Sequence, residues 1–158
     1  MKLKPLLLLM ALTASPLSTA CTYDGLFNNP FTESYQGSFA VALATQAAIK
    51  QQKLQLPATI DNNAGLNRMT WWLKLVKPAL AAQYGPNLDV LVIDKKLWSQ
   101  IRTKDNALQI EIHTEPNTAQ SPTILLTEAS LNALAQADLT LEHAQQLGVL
   151  KALHMEPL

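Results

Sequence analysis

The spacing of apolar residues changes at Gly85-Pro86, and that change limits what the chain can fold into. Before it, Leu66, Met69, Leu73, Val76 and Leu80 recur at three- and four-residue steps, the period of an amphipathic helix. After it, Leu108, Ile110 and Ile112 alternate with Gln109, Glu111 and His113, the period of a strand with one wet face. Helices that precede a run of strands, rather than alternating with them, predict an α+β domain with a mainly antiparallel sheet.

The elements follow from local signals. Ser38 is a fair N-cap for a helix from Phe39 to about Gln52. Asp61-Asn62-Asn63 caps a second helix, which Pro78 should kink or interrupt and Gly85-Pro86 should end. Residues 88–93 are almost continuously apolar, so that strand should be covered on both faces. Strands at 97–102 and 108–112 complete a three-strand meander. Residues 123–126 make a fourth strand, then Thr127 and Thr140 each cap a helix, and residues 149–153 make the last strand. The expected architecture is this meander plus strand–helix–helix–strand, with the helices packed on one face.

The N-terminus has a different composition. Lys2 and Lys4 precede an unbroken apolar run from Leu6 to Leu12, and Pro16 and the small residues Ser18-Thr19-Ala20 follow. A bilayer-spanning helix needs about 20 apolar residues, so the run fits a secretory signal better than a membrane span. Three segments result: a signal peptide at 1–20, an arm at 21–37 and a single α+β domain at 38–158. Without the two signal lysines, 10 basic residues face 12 acidic ones, a net charge of −2. That balance excludes a nucleic-acid partner, which would need a basic field to displace counterions. The expected location is the periplasm, or the outer membrane if the chain is anchored there.

The only cysteine, Cys21, follows Ala20 directly. Leu17-Ser18-Thr19-Ala20-Cys21 resembles the lipobox of bacterial lipoproteins, with Ser18 where that family usually has Leu. The resemblance implies cleavage before Cys21 and acylation of its thiol, giving a membrane anchor. Ser18-x-Ala20 also suits the ordinary signal peptidase, which would leave the thiol free. In the arm, Tyr23, Phe27, Phe31 and Tyr35 fall every fourth residue and continue to Phe39. Such rings either staple the arm to the core or remain exposed to dock a partner.

The second half resembles the sterol-carrier-protein-like lipid-binding fold. The residues that carry this are Thr123-Ile124-Leu125-Leu126-Thr127, the helix 128–135, Leu139 to Ala144, and Leu147-Gly148-Val149-Leu150. His154-Met155 stand where that family has a second Gly. The resemblance implies an apolar small-molecule ligand between sheet and helices.

Chemistry-bearing patterns are few. His113, His143 and His154 have no metal-ligand spacing, one cysteine cannot build a thiolate cage, and the five glycines are scattered singly. No catalytic residue, metal or cofactor is therefore assigned. Lys95, Lys96, Arg102 and Lys104 gather round one hairpin and read as a solvated sheet edge. Trp71 and Trp72 point about 100° apart on a helix, so one enters the core and the other lies near its edge, where they are the candidate ligand-binding residues. The resulting expectation is a non-catalytic binding or accessory domain of the bacterial envelope, with an apolar small molecule or an envelope protein as partner. The alternative is a periplasmic hydrolase or redox enzyme whose site assembles only in three dimensions. The anchor is testable: wild-type protein is expected to incorporate radiolabelled palmitate, and Cys21→Ala to leave the membrane fraction. An unlabelled wild type in the soluble fraction would reject acylation.

Overall fold

The computed structural model describes residues 35–60, 62–115 and 121–153. The expected signal segment, Cys21, His154 and all of the arm before Tyr35 lie outside the described residues. The elements run α1 (Ser38–Lys50), α2 (Asn62–Tyr84), β1 (Leu88–Val92), β2 (Leu97–Lys104), β3 (Ala107–Ile112), β4 (Thr123–Leu126), α3 (Glu128–Ala135), α4 (Leu141–Gln146) and β5 (Leu150–Leu153). The protein is α+β, as the change of period predicts.

The five strands form one sheet in the order β3-β2-β1-β4-β5. All five strands have an antiparallel partner, in two sets, the β3-β2-β1 meander and the β4-β5 pair. The two sets join through β1 and β4, which run parallel with Val90 opposite Ile124 and Val92 opposite Leu126. β1 is thus central, and all five of its residues are buried. Its unbroken apolar run reflects cover on both faces.

Alternation sorts the strand residues into two layers. Val90, Val92, Leu97, Ile101, Ile124, Leu126 and Leu150 face the main core with Met69, Leu73, Val76 and Leu80 of α2 and Leu131 of α3. Leu91 and Leu125 point the other way and pack with Val41 of α1, flanked by Tyr35, Ile93, Trp98 and Leu153. α1 therefore serves both layers, since its Ala48 joins the main core while Val41 reaches the second face. Tyr35 behaves as a staple: its ring meets Trp98 edge-on at 5.2 Å, and its hydroxyl bonds Thr123 Oγ1 at 3.3 Å.

Three details differ from the sequence expectations. Ser38 lies inside α1, and Gly37 takes the N-cap position at φ +89°. The Ser38 hydroxyl instead donates to the Tyr35 carbonyl at 2.6 Å, closing the turn before the helix. A side chain at residue 37 would be strained by that φ and would meet Lys151. Pro78 does not interrupt α2, which continues to Tyr84. Lys74, Leu75, Pro78 and Ala79 are exposed, so water can satisfy the carbonyl that the ring leaves unpaired. Lastly, the β1–β2 hairpin is not a sheet edge, because β4 pairs on the far side of β1. Two of its cations are committed to carboxylates: Arg102 pairs with the fully buried Asp89, and Lys95 with Glu128.

Leu126 is fully buried where the parallel pair meets α3. Leu126→Ala is expected to lower unfolding stability by about 2–5 kcal/mol, the usual range for a truncated core leucine. Denaturant titration measures it.

Candidate functional site

β1 and β4 run in the same direction, so their C-terminal ends lie side by side. Asp94 follows the end of β1, and Glu128 opens α3 just after β4. Asp94 accepts the backbone N–H of Glu128 at 2.9 Å, a bond across 34 residues of chain. That bond satisfies one of the orphan donors of the α3 N-terminus. Thr127 satisfies another, accepting the N–H of Ser130 at 3.3 Å. Its Oγ1 also lies 3.2 Å from that of Thr45 and 3.0 Å from Ser130 Oγ. Three buried hydroxyls thus form a chain from α1 to α3.

Glu128 is buried and doubly paired, with Arg68 of α2 on one oxygen and Lys95 at 3.0 Å on the other. Arg68 reaches further. It donates to the Ala58 carbonyl at 2.7 Å, and its guanidinium centre stands 4.8 Å from the Trp72 ring centroid. Gly65, one turn earlier in α2, lets the same loop lie close, since a Cβ there would collide with the Ile60 carbonyl. Arg68 and Gly65 together fix the connection between α1 and α2.

These constraints leave a cavity of about 270 Å³ between α1, that connection and the strand ends. Phe39, Ala42, Ile49, Leu56 and Ile93 give it apolar walls, and Thr45, Gln46, Asp94 and Thr127 supply polar groups. Among the described residues, no Lys, Arg or His lines it. Burial pushes the Asp94 carboxyl above its ordinary 3.8, and the Glu128 N–H and the Lys95 charge only partly offset that. A carboxyl that keeps its proton longer can donate a hydrogen bond as well as accept one.

The two candidate tryptophans lie elsewhere. Trp72 is 6% exposed beneath Arg68, and Trp71 is 61% exposed on the outer side of α2. Neither lines the cavity. His143 is exposed on α4, and His113 is exposed just past β3 at φ +60°. Among the described residues, no group of three or more His, Cys, Asp or Glu side chains could hold a metal ion. No helix among them is long and apolar enough to cross a membrane. Asp94, Glu128 and Thr45 carry no spacing that marks them as a set. The available signal was positional, because two acidic residues each follow the end of a buried apolar strand.

No family model matches the chain, and no curated protein matches it. Among solved structures it is similar to part of a double mutant of a sec-alkyl sulfatase, at 16% identity and a TM-score of 0.40. It is likewise similar to part of a stereoselective inverting sec-alkylsulfatase from Pseudomonas sp., at 19% identity and a TM-score of 0.38. These matches cover 61% and 54% of this chain but only 14% and 13% of those enzymes.

The raised Asp94 carboxyl has a defined effect on stability. Below its ordinary value it is protonated whether the chain is folded or not. As pH rises past that value the unfolded chain releases its proton first, so stability is lost until the folded carboxyl also ionises. Asp94→Asn keeps an acceptor for the Glu128 N–H and removes this loss. Comparing unfolding midpoints at acid and neutral pH, the variant should gain on the wild type as pH rises.

Proposed function

We propose that the chain is a non-catalytic binding domain of the bacterial envelope, and that its cavity takes a small neutral amphiphile. The cavity supports this reading: it sets apolar walls from α1 and the α1–α2 connection against hydroxyl and carboxyl groups at the strand ends. At about 270 Å³ it is near the lower end of small-molecule sites, so the ligand is short. Asp94, with no cation among the described lining residues, disfavours a carboxylate or phosphate head and favours a hydroxyl or amide. The Leu-rich segment 6–12 and the Ala20-Cys21 junction support export, with Cys21 as the proposed membrane anchor. An apolar ligand is also what the resemblance of residues 88–153 to the sterol-carrier-protein-like fold would imply.

A hydrolytic reading of this cavity would pair the Asp94 carboxyl with a lining hydroxyl such as that of Thr127. Thr127 Oγ1 is already engaged by Ser130 N–H and sits among two other hydroxyls. Among the described residues, no imidazole or amine lines the cavity to activate it. These points favour binding over turnover.

The test is a vesicle-free titration with 1-octanol, followed through the NMR signals of Ala42, Thr45 and Ile93. The expected dissociation constant is on the order of 0.1–1 mM for a short chain in a preformed cavity. Octanoate at neutral pH should bind more weakly, and Ala42→Phe, which fills the cavity, should abolish the shifts while the fold persists. Unchanged signals on saturation with octanol would overturn the proposal.

A further inference from the structure

The outward face of α1 is unusual for a helix end of a small domain. Phe39, Leu43, Gln46 and Lys50 follow one another at helical steps along it. Phe39 is 62% exposed and Leu43 55%. Leu56, 70% exposed, lines the same cavity as Phe39. The charge pattern is equally one-sided. Residues 34–60 contain no Asp or Glu, although the chain has 12 of them. The only charges in that stretch are Lys50 and Lys53, both exposed at the end of α1. The nearest carboxylate on the cavity wall is Asp94, which is turned toward the Glu128 N–H.

We infer that this face lies on an anionic lipid bilayer. Bulky apolar side chains that enter the headgroup boundary, next to lysines and without carboxylates, are the composition of an interfacial helix. Lysine stems can lie along the boundary while their ammonium groups reach lipid phosphates. A negatively charged surface is complementary to Lys50 and Lys53, and residues 34–60 present no acidic group to repel it. α1 has 13 residues, about 20 Å of helix, so it lies in the surface and does not span it. The contact goes beyond the cavity ligand and does not depend on it.

Cys21 is the only cysteine, so a Cys21→Ala background accepts one chosen label. Acrylodan is placed at Leu43→Cys or, as a control, at Glu142→Cys on the exposed side of α4. The protein, purified as cells leave it, is mixed with phosphatidylcholine vesicles, with or without roughly one third phosphatidylglycerol. The expected result is a blue shift at position 43 with the anionic vesicles and none at position 142. Lys50→Gln with Lys53→Gln should weaken that partition by about 25-fold, at about fivefold per lysine. No shift at position 43, equal shifts at both positions, or a shift that grows with protein concentration in the absence of lipid would each overturn the inference. The octanol titration contains no vesicles, so either proposal can fail while the other stands.

Discussion

The parallel pairing of β1 with β4 is the constraint on which the site depends. Antiparallel neighbours alternate their ends, so a wholly antiparallel sheet would put Asp94 and Glu128 at opposite margins. The single parallel contact brings both to one margin, where the α3 N-terminus needs acceptors. It also makes β1 central and buried on both faces, with two layers of core to hold it. The cavity is the space left where α1 meets that margin.

Arg68 carries the arrangement outward from the sheet. It neutralises a buried carboxylate at the start of α3, holds the Ala58 carbonyl and covers Trp72. A buried ion pair adds little net stability against its desolvation cost, but removing one partner strands the other. Its effect here is geometric, because it fixes the α1–α2 connection, which supplies Leu56 to the cavity rim. The hydroxyl chain of Thr45, Thr127 and Ser130 does the same for α1 against α3. Polar contacts thus set the shape of a cavity whose walls are mostly apolar.

Binding and surface contact are compatible in this geometry. Phe39 belongs both to the cavity lining and to the exposed stripe of α1, and the exposed Leu56 lines the same cavity. A ligand soluble in a bilayer would enter a cavity whose rim rests on that bilayer. The acyl anchor proposed at Cys21 would keep the same end of the domain near the membrane, since α1 begins 17 residues after it. The three proposals share one orientation, and the cavity and the surface contact share Phe39 and Leu56.

The sequence by itself determined the fold class and nearly every element. The helical step of Leu66, Met69, Leu73, Val76 and Leu80, the alternation of Leu108, Ile110 and Ile112, and the threonine caps at 127 and 140 are local patterns with local causes. It also separated the two tryptophans, since the helix turn sends only one of them inward: Trp72 is buried, while Trp71 is exposed rather than at the edge of the core. Tertiary structure alone decided the pairing of β1 with β4, the meeting of Asp94 with Glu128, and the partners of Arg102 and Lys95. It also decided that Pro78 is tolerated, because only packing shows which side of α2 faces water. Those outcomes depend on residues tens of positions apart, and periodicity reports which face of an element is apolar but not which element will cover it.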